Sequence, residues 1–524
     1  MPRANFFNSN AGWPRERGGN PGHCLSVARA LIVLPDIAPT NREGNMHHGS
    51  SITWPNDVTL SPTLRRRPRR RGLLQALVMA APLLAGVPSS AQTADQQANS
   101  ERWIATWTAP QAARLDQPPQ SLPASAQAFP WVRDVPQTVK DATPDQELPV
   151  GGASPLQIKG QTLRQIAHVS LGGPRVRVVL SNSLGILPLR VGAAHVALRK
   201  AGASIVATSD HVLTFGGLAR PTIPPGALLI SDPVDLAVPE SGDLAVDLYL
   251  PDDMSAWKSP VSIHPASWQV NYVSEPGDHA GAPTFPVAGT TAYRRSDGLP
   301  SASSFFLSRV EVIRPDAAGV LVAFGDSITD GTQSGIDQNK RWPDLLGARL
   351  AAGGTRMAVV NGGIGGGRVL EDGVGPNALA RFDRDVLAQP GVTHVIVLEG
   401  INDIGVGGTN ASPSVTELIA GHRQMIDRAH ARGLRIYGAT LTPFEGAPYW
   451  TPQGEAKRQS LNDWIRTSGA YDGVLDFAAV VQDPERPTRS RPEYDSGDHL
   501  HPSPAGYAAM ANSIDLTLLQ ARGR

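Results

Sequence analysis

The stretch VLVAFGDSITDG, residues 320–331, decides the fold. Its first five residues are apolar, and the run then closes on Gly325, Asp326 and Ser327. A short apolar run bounded by a glycine reads as a strand buried on both faces, the kind from which parallel sheets are built. Open parallel sheets bind ligands beyond the carboxyl ends of their strands, so this strand delivers a carboxylate and a hydroxyl to the edge where chemistry is done.

From about residue 316 onward the same rhythm repeats. Further strands are expected at 319–324, 356–360, 393–399, 434–440 and 473–477, with helices near 341–352, 377–388, 412–432, 454–468 and 504–519. Ser503 and Pro504 make a suitable cap and first turn for the last helix. Strands alternating with helices of this length imply crossover connections and a parallel sheet covered on both faces.

The residues at the strand ends are not random. The first strand ends in GDS (325–327), the second in NGGIGGG (361–367) and the third in GIND (400–403), and DHLHPS (498–503) precedes the last helix. Ser327 alone fits a helix cap as well as it fits a nucleophile. His501 can act as its base, and Asp498, three residues earlier, can fix the imidazole tautomer and stabilise the imidazolium. Acyl transfer also needs donors for an oxyanion, and the N–H of Gly363, the side-chain amide of Asn402 and the N–H of Ser327 can supply them. NGGIGGG has no GK[ST] ending, which sets it apart from a phosphate-binding P-loop. Asp326 and Asp403 are expected to support the active-site loops, Asp330 and Asp495 to be solvated, and His499 to line the site.

These four blocks, in this order, resemble those of the SGNH, or GDSL-like, hydrolases. GDSITDG matches the first block with Ser327, NGGIGG the second with Gly363, GIND the third with Asn402, and DHLH the fourth with Asp498 and His501. Ile328 stands where the family name carries Leu. The resemblance spans roughly residues 318–520. It implies a three-layer α/β/α domain that hydrolyses carboxylic esters through an acyl-enzyme on Ser327, with neither metal nor other cofactor. The catalytic domain is expected over 316–524.

Residues 102–300 read differently. Short apolar runs such as TLRQIAHVSL (162–171), RVRVVLSN (175–182) and DLAVDLYLP (243–251) alternate with polar residues and are broken by Gly, Pro, Asn and Asp. That pattern predicts an all-β sandwich, jelly-roll-like, preceding the α/β domain. It resembles the N-terminal β-domain of some secreted bacterial members of the family. The segment 278–315, rich in Gly, Pro, Ser and Ala, is expected to connect the two. Trp103, Trp107, Trp131, Trp257 and Trp268 suit either sugar stacking or the core.

The chain of 524 residues carries 47 Lys and Arg against 47 Asp and Glu, so no overall field draws it to nucleic acid. Its one dense basic block, RRRPRRR at 65–71, is followed by sixteen uncharged residues and then Ser89, Ser90 and Ala91. Basic, then apolar, then small is the order of a secretory signal, and the apolar part is short for a span of about 20 residues. Residues 65–91 are therefore expected to be a signal peptide, with export by the general or the twin-arginine route. Residues 1–64 are expected to be disordered or to follow a misassigned start. Cys24, the only cysteine, lies there.

The expected function is thus a secreted or periplasmic serine esterase. Its expected substrates are acetyl or other short acyl esters, of carbohydrates or of lipids, and an acylated polysaccharide is one such partner. The membrane is met only through the signal segment. Three alternatives remain open at this level: acyl transfer to a sugar hydroxyl by the same residues, a carbohydrate-binding protein with an inert hydrolase domain, and metal-assisted phosphoester hydrolysis using Asp326, Asp498, His499 and His501. Loops near 329–340, 367–376 and 403–412 are expected to shape the pocket, with Tyr449 and Trp450 either lining an apolar wall or packing between domains.

Overall fold

The computed structural model describes residues 101–114, 137–140, 147–150, 158–294, 300–406 and 412–520. The signal segment, Trp131 and part of the 403–412 loop lie outside the described residues.

Five parallel strands form the sheet of the C-terminal half: Gly319–Gly325, Met357–Gly363, Val392–Leu398, Arg435–Ala439 and Gly473–Leu475. In space the second strand lies outside the first, and the third, fourth and fifth follow on the other side, giving the order 2-1-3-4-5. The first strand is an inner one, buried along its whole length, with Val320 to Phe324 entirely shielded from solvent. That is why its sequence shows no alternation: both faces need apolar side chains. Helices Trp342–Ala352, Val415–Ala431, Pro452–Thr467 and Pro504–Ser513 cover the sheet. Ser414 and Glu417 close the start of the second of these as a reciprocal cap, and Ser503 caps the last.

One expected helix changes pitch part-way and another ends early. The segment from 377 is an α-turn over Ala378–Phe382 that widens into a π-turn over Asp383–Leu387. The last helix stops at Ser513, because Asp515 caps a separate 3-10 turn at Leu516–Leu519 through the Thr517 N–H.

The region before this domain is antiparallel, as its sequence pattern predicts. One sheet orders Trp103–Thr108, Leu307–Ile313, Val176–Ser181 and Leu228–Ile230. A second places Ala193–Ala201, Asp243–Asp253 and Lys159–His168 side by side, extended by Tyr272–Pro276 and Val287–Thr290. Leu244, Val246, Leu248 and Leu250 alternate along one strand and join Val176, Val178, Leu180, Val310 and Val312 of the other sheet in one core. On the opposite face of the second sheet, Asp247 meets Arg164 in a buried bidentate pair with both bonds under 2.8 Å.

The segment 278–315 is not a simple connection. Leu307–Ile313 within it is an inner strand, paired on one side with Trp103–Thr108 and on the other with Val176–Ser181. Its sequence LSRVEVI looks half polar, but Glu311 accepts from both Arg309 and Arg177, which keeps the charges satisfied in a buried strand. The core of the antiparallel region runs without a break into that of the parallel sheet, from Ile104 to Leu519. Trp268 is buried, and Trp107 and Trp257 pack against this core, so these three have structural places. Among the described residues no helix is long and apolar enough to cross a membrane.

Candidate functional site

In a sheet of order 2-1-3-4-5 the connections leave the first and third strands in opposite directions, and the gap that opens between their carboxyl ends is where ligands settle. Gly325 pairs in register with Gly363 on one side and Leu398 on the other, so three strand ends are level there. A four-residue helix, Ser327–Asp330, starts at once, capped by the Asp326 carboxylate on the Ile328 N–H at 2.9 Å. The turn is tight enough to push Ser327 toward the sheet edge.

His501 reaches this point from the loop before the last helix. Its Nε2 lies 2.7 Å from Ser327 Oγ, and its Nδ1 lies 2.6 Å from Asp498 Oδ2. The spacing of three works because the loop folds back on itself: the Leu500 and His501 N–H groups both donate to Asp498 Oδ1. Burial alone would raise the Asp498 carboxyl, but the His501 imidazole and these two N–H groups outweigh it and hold it well below the usual carboxylate range. Ser327 and His501 are both buried, with only the serine's edge open at 8%.

The expected oxyanion donors divide. Asn402, at the start of the short helix Ile401–Val406, gives one amide hydrogen to the Gly367 carbonyl at 2.9 Å, and its oxygen accepts from the Tyr449 hydroxyl at 3.3 Å. The amide is thereby oriented, with a second hydrogen to spare. The Ser327 N–H, at the first position of its helix, has no acceptor among the described residues. Gly363 does not fit the role. It lies inside the second strand, its N–H is donated to Asn361 Oδ1 at 2.9 Å, and a Cβ there would stand 2.3 Å from the Asp330 nitrogen. Its glycine character serves close packing of the strand against the nucleophile helix. The turn beside Ser327 is made two and three residues later, by Gly365, whose Cβ position lies 4.0 Å from Ser327 Cβ, and by Gly366, with a left-handed φ of 71°.

The supporting acids have distinct places. Asp403 accepts the Val369 and Leu370 N–H groups at 2.8 and 3.1 Å and so anchors the loop that carries the glycines. Asp330 is not solvated: it is 1% exposed, accepts the Gly365 N–H at 3.0 Å and meets His264 at 2.9 Å. Asp495 is held by His499 at 2.7 Å, and the His499 side chain is half exposed. Of the four side chains a metal-assisted reaction would use, Asp498 and His501 bind each other, His499 binds Asp495 and Asp326 caps the Ser327 helix, and among the described residues no group of three or more His, Cys, Asp or Glu side chains is placed to hold a metal ion.

Two residues that the motifs do not reveal lie directly beneath. Arg381, fully buried, donates to the carbonyls of Gly362 and Gly325 at 2.6 and 2.8 Å and stacks on Phe324 at 4.0 Å, clamping two strand ends together. Glu399, at the end of the third strand, is buried with both carboxyl oxygens unbonded among the described residues, and Asp326 Oδ2 is likewise unbonded. Burial pushes Asp326 up to about 7, with Asp403 adding to the shift. Burial and the neighbouring Asp326 raise Glu399 well above its usual value. Arg381 opposes both shifts from 3.9 Å away from Glu399. The only cue in the sequence is an acid or a base standing in an apolar run, as in VLEG and ALARF.

Groups whose folded pKa is raised bind protons more tightly in the native state, so their effect on stability worsens as pH climbs from the unfolded value near 4 through the folded one. Glu399→Gln removes one such group and offers Asp326 a donor. Scanning calorimetry is expected to show a higher Tm than wild type at pH 8 and nearly the same Tm at pH 4. A pH 8 Tm at or below that of wild type would refute a raised Glu399 carboxyl in the folded chain.

Residues 323–509 match the model of the GDSL-like lipase/acylhydrolase family. The chain carries a GDSL-like hydrolase domain. Among curated proteins none matches the chain. Among solved structures, a lipase/acylhydrolase from Enterococcus faecalis is 22% identical, covering 37% of this chain and 92% of its own, with a TM-score of 0.31. A variant of an acetyl-xylooligosaccharide esterase from Geobacillus is 23% identical over 40% of this chain and 98% of its own, also at 0.31. A GDSL-like lipase from Bacteroides thetaiotaomicron is 18% identical over 38% and 88%, at 0.30. The GDSL-like domain makes this chain an enzyme of the esterase and hydrolase kind, and its family match begins inside the first parallel strand and ends inside the last helix.

Proposed function

We propose that the protein is an exported serine esterase that cleaves carboxylic esters of acetyl or other short acyl groups, borne by carbohydrates or lipids. The observation that carries this reading is the hydrogen-bonded line Ser327 Oγ, His501 Nε2, His501 Nδ1, Asp498 Oδ2, with spacings of 2.7 and 2.6 Å. Asp498, ionised, keeps the proton on Nδ1, which leaves Nε2 free to accept from the serine. As Oγ bonds to the ester carbonyl carbon, its proton passes to Nε2 and the carbonyl oxygen becomes negative. The Ser327 N–H and the free hydrogen of Asn402 Nδ2 are the donors for that charge, joined by the N–H of Gly366 in place of Gly363. Collapse breaks the C–O bond, and the alcohol leaves with the proton from Nε2. Water then attacks the acyl-serine by the same route and releases the acid. Export rests on the basic, apolar and small residues in sequence over 65–91.

The test is covalent. A fluorophosphonate should modify the full chain at one serine, Ser327 by peptide mass spectrometry, and abolish 4-nitrophenyl acetate hydrolysis in proportion to labelling. Loss of hydrolysis with the adduct on another serine would overturn the assignment.

A further inference from the structure

His264 lies outside the segment that matches the hydrolase family, yet its side chain reaches an acid that holds the glycine turn beside Ser327. His264 ends the strand Val261–His264 of the antiparallel region, which pairs with Ala112–Arg114 and Ser304–Phe305. It is 4% exposed. Its Nδ1 lies 2.9 Å from the Pro110 carbonyl oxygen and its Nε2 2.9 Å from Asp330 Oδ1, while Asp330 Oδ2 accepts the Gly365 N–H at 3.0 Å. A carbonyl and a carboxylate that already takes a peptide N–H are both acceptors. Satisfying both ring nitrogens therefore calls for a proton on each.

We propose that His264 is a positioning residue of the active site: as an imidazolium it neutralises the buried Asp330 carboxylate, which in turn holds the Gly365 peptide and the oxyanion turn of Gly365–Gly366 against Ser327. The proposal rests on the esterase reading above and extends it to a residue of the antiparallel region. The same contact surface supports it. Asp337, in the loop after the nucleophile helix, accepts the Gln269 amide and the Val270 N–H at 2.9 and 2.8 Å, and Arg341 donates to the Ser267 carbonyl at 3.3 Å. The antiparallel region thus grips this loop through Ser267, Gln269 and Val270, just after His264.

The charged groups that face the imidazole are Asp330 and Arg341. Burial and Arg341 pull its pKa down, but Asp330 and the Pro110 carbonyl more than offset them and keep it above the ordinary value. Arg341 is itself engaged by Asp344 at 2.6 Å. With the folded pKa raised, the charge pair is complete below the unfolded value, near 6.5, and is lost as pH rises through the folded one. The turn then loosens, and kcat falls on the alkaline side.

The experiment measures kcat and KM for 4-nitrophenyl acetate against pH in the full chain, for wild type, His264→Gln and His264→Ala. Wild type should lose kcat at alkaline pH. His264→Ala should lower kcat at pH 7 by about 10- to 100-fold with KM nearly unchanged, as expected when a supporting group shifts a reacting geometry by a fraction of an ångström. His264→Gln keeps a donor toward Asp330 but cannot titrate, so it should recover part of kcat and lose the alkaline limb. An alkaline limb retained in His264→Gln, or wild-type kcat in His264→Ala, overturns the proposal. If the alanine variant fails to fold, imidazole nitrogen NMR of the wild-type chain decides: the signal missing in His264→Gln must show both ring nitrogens protonated at pH 7, and a singly protonated ring overturns the proposal. Ser327→Ala serves as the separate control. Activity surviving there would refute the esterase reading itself, whatever His264 does.

Discussion

Ser327→Ala is expected to reduce kcat for ester hydrolysis by about 10⁴- to 10⁶-fold, with the fold intact. The size follows from how the hydroxyl is used. In the proposed reaction its oxygen forms the acyl bond and its proton is the one His501 removes, and no other hydroxyl bonds to Nε2 among the described residues. What survives is the help that the oxyanion donors give to direct attack by water. Stability should hardly move. One hydroxyl–imidazole bond is lost, a net contribution of about 1 kcal/mol, and the neighbouring helix keeps its cap through Asp326. A second substitution, His501→Ala, added to Ser327→Ala should cost almost nothing further, because the two act as a unit. Kinetics of the two single variants and the double variant, with circular dichroism as the check on folding, measure this. Independent, multiplicative losses would mean that the 2.7 Å contact is not a working pair.

The second large effect is expected at Asp498→Asn, with kcat down by roughly 10⁴-fold and little change in KM. The contact is the 2.6 Å bond to His501 Nδ1. A carboxylate there accepts the Nδ1 proton. An amide that keeps its Oδ1 toward the Leu500 and His501 N–H groups must present its NH₂ to Nδ1. The imidazole then carries its proton on Nε2, facing Ser327, and cannot accept another. Stability responds with a definite sign. The folded carboxyl lies below its ordinary value, so its contribution is fully present above the unfolded value near 4 and is lost as pH falls through the folded one. Asp498→Asn should therefore be less stable than wild type at pH 7, with the gap closing as the solution is acidified. Equal kcat in the variant, or a gap that widens in acid, would remove Asp498 from the relay.

The parts of this molecule that could be read from sequence are those in which local and tertiary demands agree. VLVAFG is legible as an inner strand because burial on both faces removes polar residues from a contiguous run. Ser327, Asn402, Asp498 and His501 are legible because each stands at a strand end or just before a helix, where topology brings such positions together. Gly363 misleads for a physical reason. In a run of six residues with five glycines, the one with a free N–H is set by side-chain partners, here Asn361 on Gly363 and Asp330 on Gly365. No spacing rule encodes that. Arg381, Glu399 and His264 were unreadable because their partners are backbone carbonyls or side chains tens of residues away. The strand Leu307–Ile313 is hidden in a segment whose many Gly, Pro, Ser and Ala residues predict a connection, and the pairing of Glu311 with Arg177 and Arg309 makes its charges compatible with a sheet interior.

The unbroken core has a consequence for how such a chain can change. Trp103 pairs with Ile313, so the polypeptide enters and leaves the antiparallel region at one place, the arrangement that usually lets a region be gained or discarded in a single genetic event. Here that freedom is spent. Thr108 donates to the Asn361 carbonyl beneath the glycine turn, Arg384 to the Gln111 carbonyl, and apolar residues from both halves interlock between them. The two halves must therefore be inherited together, and substitutions on one side of their boundary constrain which residues the other can accept.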